Sequence, residues 1–122
     1  MLITISGATK LERQKELYKM LSEKLIDGNM VYMLSNKTWQ DTINGIFTVP
    51  EFNMDRLRTL QNDEFVLFST AENDRASINI KNYYEYYNVF ILDGLEVQML
   101  NAFESTISKI ESSMQKILII NN

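Results

Sequence analysis

The sequence contains no cysteine and no histidine, and it has one proline and four glycines among its 122 residues. Without cysteine and histidine there are no disulfide bonds, thiol nucleophiles, imidazole bases or ordinary zinc sites. Any bound metal would be a hard cation with oxygen ligands, and magnesium is the first expectation. Acid–base chemistry would fall to Asp, Glu, Lys or Tyr side chains.

Positive charge is also scarce, because 12 Lys and Arg are scattered among 16 Asp and Glu, for a formal charge of −4. Binding to duplex DNA draws on clustered cations that displace counterions, so we expect no duplex nucleic acid partner. No apolar run is long enough to cross a bilayer, and no signal peptide is recognisable. We therefore expect a cytoplasmic protein with no membrane partner. Twelve Asn and a single Pro suggest an AT-rich genome, such as that of a phage or mobile element.

The apolar share of 45% and the charged share of 23% are ordinary for a globular chain, and we expect one α/β domain over residues 1–122. Short apolar runs without polar alternation are typical of parallel strands buried on both faces. The segments between the runs carry helical periodicity. The pattern predicts a three-layer sandwich of about five mostly parallel strands, a P-loop-like or flavodoxin-like doubly wound sheet. The five runs are Leu2–Ser6, Met30–Leu34, Phe65–Ser69, Val89–Leu92 and Ile117–Ile120.

Helices are predicted between these runs from apolar residues spaced three and four apart. The first helix would bury Leu11, Leu17, Leu21 and Leu25 and end at Gly28. Shorter helices are expected over Trp39–Ile43, Met54–Leu60 and residues 72–87. A last helix would bury Leu100, Phe103, Ile107, Ile110 and Met114.

Polar or small residues follow each predicted strand. In a doubly wound sheet, ligands bind at the carboxyl ends of the strands, so any ligand site is expected at this edge. Asp93 is the first candidate for chemistry, and the alternative is that Asp93-Gly94 only turns the chain and caps the next helix. The candidate ligand-binding residues are Gly7, Thr9, Lys10, Lys37, Ser69, Thr70 and Asn121.

In this arrangement the chain resembles P-loop NTPases of the broad family that includes helicase loaders and AAA-type ATPases. Residues 2–7 with the following helix resemble the Walker A region, and Val89–Asp93 resembles Walker B. The strand in KILIINN, residues 116–122, resembles the one that ends in the sensor asparagine. The resemblance implies a magnesium-binding role for Asp93 and a γ-phosphate-sensing role for Asn121.

The loop after the first strand departs from Walker A, which has a second Gly and then Lys and Ser/Thr. Gly7 is followed instead by ATKLER, in which the second glycine, the invariant lysine position and the magnesium-binding hydroxyl of Walker A are all missing. The stretch TKLE is a capping box in which Thr9 accepts from the N–H of Glu12 and the Glu12 carboxylate accepts from the N–H of Thr9. We therefore expect this loop to satisfy its own amides and to hold no phosphate.

A second, weaker resemblance is to nucleoside deoxyribosyltransferase-like proteins, which also begin strand–glycine–helix and carry a strand ending in Asp-Gly, here Asp93-Gly94. That resemblance implies a catalytic glutamate, for which this chain offers Glu96 or Glu104.

Aromatic residues supply the candidate interface positions. Tyrosines are favoured at protein interfaces, although core packing is the first expectation for part of the cluster at residues 83–87. The segment with Ile46, Phe47, Val49 and Phe52 is expected to be a satellite core or a docking patch. The candidate interface residues are Tyr83, Tyr84, Tyr87 and Phe47.

Together these observations predict a non-catalytic P-loop-like domain without cofactor that binds a protein partner or a second copy of itself. Its role would be to regulate a replication or nucleotide-handling ATPase. The alternative is a nucleotide-binding enzyme, such as an NTPase, a nucleotide kinase or a deoxyribosyltransferase-like protein. It would use a magnesium-nucleotide and act at the carboxyl edge through Asp93. A third reading is a homo-oligomer assembled through the last helix or the tyrosine-rich segment.

Overall fold

The computed structural model describes residues 1–46, 48–49, 66–70 and 84–122, and of residues 66–70 only the backbone. In chain order they form β1 (Leu2–Thr4), α1 (Lys10–Ile26), β2 (Val31–Ser35), α2 (Trp39–Ile46), β3 (Val66–Thr70), β4 (Val89–Asp93), α3 (Val97–Ala102), α4 (Glu104–Ser112) and β5 (Ile117–Asn121). Phe47, Phe52, Tyr83, the expected helix over Met54–Leu60 and most of residues 72–87 lie outside this part of the chain. None of the described helices combines the length and apolar character needed to cross a bilayer.

The strands form a parallel sheet in the order β1-β5-β4-β2-β3. β2 and β4 are buried at every position, as expected for strands covered on both faces. The predicted α/β fold with a parallel sheet and covering helices is therefore confirmed. β1 is shorter than its apolar run and lies at the edge of the sheet, where it pairs with β5.

Helices cover both faces of the sheet because alternate strand residues point to opposite sides. One face carries Met33, Ile91 and Ile119, and it packs against α1 and α2. The other face carries Leu34 and Leu92 among others, and it packs against α3 and α4. We call these the α1 face and the α4 face.

Both ends of α1 lie where the capping residues in the sequence predict them. Thr9 is its N-cap and accepts from the N–H of Glu12 at 3.1 Å, as the capping box predicts. Gly28 follows the C-cap with φ of 81°, a left-handed conformation that glycine adopts without penalty. Leu17, Leu21 and Leu25 are buried, but Leu11 is 65% exposed, so its predicted burial is wrong. Leu11 lies in the first turn of α1, more than one turn before Leu17, the first buried leucine of the helix.

The second helix runs from Trp39 to Ile46, three residues longer than expected, and contains a glycine. A Cβ at Gly45 would lie 2.1 Å from the Tyr18 ring. This glycine therefore lets α1 and α2 pack directly on each other. Ile46 and Val49 join the core of the α1 face, as the satellite-core alternative expects.

The last helical stretch is broken, so the prediction of one continuous helix is wrong. α3 ends and α4 begins around Phe103, whose φ and ψ of −103° and 9° are not helical. Phe103 and Ile110 are buried, whereas Met114 lies beyond α4 and is fully exposed. The helical spacing of apolar residues continues across the break because Phe103 is buried in the core of the α4 face.

Candidate functional site

Three polar residues lie side by side at the carboxyl ends of adjacent strands. Ser35 ends β2, Asp93 ends β4 and Asn121 ends β5, and the pairing register sets Ser35 opposite Asp93 and Asp93 opposite Asn121. Their relative exposures are 0%, 0% and 4%. The strand order thus gathers residues that lie 58 and 28 positions apart in the sequence.

The same three residues share the α1 face. Each lies two positions after a core residue of that face, and side chains two apart on a strand point the same way. Gln14 of α1 lies directly above them, one turn before buried Leu17 and Tyr18. We call Gln14, Ser35, Lys37, Asp93 and Asn121 the Asp93 cluster.

Asp93 accepts hydrogen bonds on both carboxylate oxygens. Its Oδ2 accepts from Ser35 Oγ at 2.9 Å, and its Oδ1 accepts from Asn121 Nδ2 at 3.0 Å. Lys37 Nζ lies 3.5 Å from Oδ2 and forms an ion pair with it. Gln14 Nε2 reaches Oδ2 only at 3.5 Å, a long contact of little strength. A buried carboxylate needs such compensation, because removing a charge from water is costly unless it is paired and hydrogen-bonded.

Gln14 joins the cluster mainly through its carbonyl. Its Oε1 accepts from Lys37 Nζ at 3.0 Å and from Asn121 Nδ2 at 3.3 Å. Lys37 is 35% exposed, so the ion pair runs from the protein interior towards solvent. Lys37, a candidate ligand-binding residue, is therefore ion-paired with Asp93 in the structure.

The turn after β4 holds Asp93 without using it as a helix cap. Gly94 has φ of 68°, and a Cβ there would lie 2.5 Å from Asn36 Oδ1. The Gly94 N–H donates to the Asn121 carbonyl at 2.7 Å. The N-cap of α3 is Glu96, so the alternative that Asp93 caps the next helix is wrong.

The loop after β1 is bonded to its own side chains. The Glu12 carboxylate accepts from the N–H of Ala8 at 2.8 Å, not from that of Thr9 as the capping box predicts. The Arg13 guanidinium donates to the Gly7 carbonyl at 3.0 Å. The backbone at Gly7 also packs close to the helix, since a Cβ added there would lie 3.1 Å from Glu12 Cβ. Gly7, Thr9 and Glu12 therefore form a closed helix entry.

A cleft of about 640 Å³ lies above the cluster, at the carboxyl edge where a site was expected. Its walls come from the first two turns of α1, from the residues after β2, and from residues at or after the ends of β4 and β5. Leu11 is its apolar rim residue. The lining residues are Lys10, Leu11, Gln14, Asn36, Lys37, Asp93, Gly94, Asn121 and Asn122.

Tyr18 lies next to the cluster on the α1 face and is 7% exposed. Burial raises the pKa of its phenol, the hydrogen bond with Gln14 lowers that pKa, and the negative charges of Asp93 and Asp41 raise it again. The net shift is upward, so the phenol is protonated throughout the physiological range.

The remaining predicted residues lie away from the Asp93 cluster. Ser69 and Thr70 end β3, which is two strands from β4, so Thr70 pairs with Ser35 and not with Asp93. Tyr87 is buried in the α4-face core, and the half-buried Tyr84 stacks on Phe90 at 6.1 Å between ring centroids.

Neither Gln14 nor Ser35 was among the candidate site residues, although Ser35 follows the second apolar run at the edge where a site was expected. The signal for Ser35 is its position, two residues after a core residue at the end of a strand. The signal for Gln14 is an amide on the buried face of an otherwise apolar helix stripe. Each of these two features indicates a site residue only once the strand order is known.

The described residues include no group of three or more acidic side chains placed to hold a metal ion. Comparison with models of protein families and with curated proteins gave no match for this sequence.

Proposed function

We propose that this chain is a non-catalytic P-loop-like domain that binds a protein partner and regulates a replication or nucleotide-handling ATPase of a phage or mobile element. The observation that carries the proposal is the closed loop after β1. Its Ala8 amide is bonded to the Glu12 carboxylate, and its Gly7 carbonyl is bonded to Arg13. A phosphate-binding loop needs free backbone N–H groups at this helix end.

The negative charge of Glu12 also disfavours the binding of a phosphate at this loop. An incoming phosphate would meet the Glu12 carboxylate 2.8 Å from the Ala8 amide, at the helix end that favours anions. It would have to displace that carboxylate and tolerate its repulsion. The protein has therefore supplied its own anion at the position that a nucleotide phosphate would take.

The strand order supports the P-loop-like part of the proposal. The resemblance assigns Walker A to the end of β1, Walker B to β4 and the sensor asparagine to β5. Residues with these roles have to meet around one phosphate. β5 lies between β1 and β4, and Asn121 donates to Asp93 at 3.0 Å. The spatial order fits the resemblance, while the loop chemistry argues against nucleotide hydrolysis.

The experiment is an assay of inorganic phosphate release from magnesium-ATP and magnesium-GTP, with Asp93→Asn as the comparison variant. We expect no release above the rate without protein, from either form. Release by the native chain that is lost in a folded Asp93→Asn variant contradicts the proposal. It would favour the second candidate, a nucleotide-handling enzyme, for which the buried Asp93 beneath a cleft is the supporting observation.

The partner is tested by crosslinking in the source cell followed by mass spectrometry. The proposal expects an ATPase or another nucleotide-handling enzyme among the crosslinked proteins. Recovery of only this chain would instead favour the homo-oligomer, which sedimentation over a concentration series would then show as a rising mass.

A further inference from the structure

The side-chain amide of Asn121 has one orientation that the chemistry permits. Its Nδ2 lies 3.0 Å from Asp93 Oδ1 and 3.3 Å from Gln14 Oε1, and both of these oxygens act as acceptors. Only the NH₂ group satisfies them, because an ionised carboxylate and an amide carbonyl have no hydrogen to donate. The carbonyl oxygen of Asn121 is therefore the atom left for other partners.

That oxygen is buried and has no hydrogen-bond donor among the residues that the structure describes. Asn121 is 4% exposed and lines the cleft. Buried acceptors without a donor are rare in native proteins, since the lost contact with water is not replaced. A residue that lines the cleft therefore carries a buried acceptor that is unmatched.

Two lysines line the same cleft. Lys10 forms no ion pair with a described acidic residue, and Lys37 uses its ammonium on Asp93 and Gln14 while remaining 35% exposed. A lysine ammonium has three hydrogens, so Lys37 retains a donor beyond these two contacts. The cleft thus combines a buried acceptor with cationic walls.

We propose that this cleft binds a small carboxylate that bears an O–H or N–H donor beside its acid group, the class of α-hydroxy acids and N-acylated amino acids. The donor would bond to Asn121 Oδ1, and the carboxylate would lie against Lys10 and Lys37. Both features are needed, because the buried atom accepts while the cleft walls attract an anion. This binding role goes beyond the proposed function and does not depend on it.

The same geometry selects against a nucleoside triphosphate at this position. Phosphate oxygens ionised near neutral pH are acceptors, so they would meet the acceptor Oδ1 of Asn121 without a hydrogen between them. The site differs in this respect from one that senses phosphate through an asparagine NH₂ group.

The experiment is a titration of the full chain followed by ¹H–¹⁵N correlation NMR, with lactate and propionate as matched probes. Both carry one carboxylate on a three-carbon chain, and only lactate has the adjacent hydroxyl. We expect saturable shifts with lactate at residues 10, 36, 37, 121 and 122, and clearly weaker shifts with propionate. Equal shifts with both acids, or no saturable shift with lactate, overturn the proposal.

Two variants sharpen the test. Lys10→Gln should weaken lactate binding several-fold, whereas Lys19→Gln, an exposed lysine on the opposite side of α1, should leave it unchanged. Asn121→Leu should abolish the preference for lactate over propionate. If that variant does not fold, the comparison of the two acids on the native chain still decides the matter. Nucleotide binding to the loop after β1 would overturn the proposed function but leave the lactate preference intact.

Discussion

At the scale of single residues, Asp93 shows how the chain keeps a charge inside. Its two oxygens accept from Ser35 and Asn121, and Lys37 balances its charge. Gln14 then holds Lys37 and Asn121 in place from the opposite side. Such a network is rigid when complete, and removing one member leaves buried polar groups unpaired.

Tyr18 gives a prediction about pH. Because its pKa is raised by burial, the unfolded chain ionises this phenol near pH 10 while the folded chain keeps the proton. The free energy of unfolding should therefore fall as pH rises above about 10, up to the raised pKa. Tyr18→Phe should show a smaller fall, measured by urea unfolding at several pH values. Tyr86→Phe, at a tyrosine that is 67% exposed, is the control and should retain the native slope. If the free energy of unfolding fell equally with pH in the native and Tyr18→Phe proteins, the raised pKa would not belong to Tyr18.

Gly45 gives a prediction about packing. An alanine Cβ at this position would lie 2.1 Å from the Tyr18 ring, so one of the two helices would have to move. We expect Gly45→Ala to lower the free energy of unfolding by about 1–3 kcal/mol, the usual cost of overpacking, despite alanine's better helix propensity. Asn44→Ala, at the exposed neighbouring position, is the control. A gain in stability from Gly45→Ala would show that the helices are not in close contact.

At the scale of elements, the break between α3 and α4 places one aromatic residue in the core. Phe103 is 2% exposed and packs on the α4 face with Leu34, Leu92 and Ile110. Neither helix is long enough to be stable alone, so their packing on the sheet maintains them.

Phe103→Ala should lower the free energy of unfolding by about 3–5 kcal/mol, because it leaves a cavity in the core. Val97→Ala in α3 removes a side chain that is 70% exposed and should change stability by no more than about 0.5 kcal/mol. Chemical denaturation of the two variants provides the comparison. Similar losses in both would place Phe103 outside the core.

Local patterns predicted these elements well where the physics is local. The N-cap Thr9, which accepts from the Glu12 N–H, and the terminating Gly28 were readable because caps act within a few residues. The break at Phe103 was not readable, since an apolar residue at helical spacing fits one long helix or two short ones. The exposure of Leu11 was not readable either, because the spacing of leucines does not encode where along the helix burial begins.

At the scale of the whole molecule, the insertion of β5 between β1 and β4 creates the site. Asp93 could be predicted as a candidate from its position after a buried strand. Asn121 was a candidate as well, but its contact with Asp93 and the presence of Ser35 and Gln14 beside them could not be predicted, because strand order depends on contacts between distant parts of the chain. The same strand order separates Ser69 and Thr70 from Asp93, although all three follow strands.

The closed loop above this edge is the central claim, and isothermal titration calorimetry with magnesium-ATP and magnesium-GTP tests it most directly. We expect no binding heat from either nucleotide at micromolar to millimolar concentrations, since Glu12 holds the Ala8 amide and Arg13 holds the Gly7 carbonyl. Micromolar binding accompanied by NMR shifts at Gly7–Glu12, and strengthened by Glu12→Gln, would contradict it.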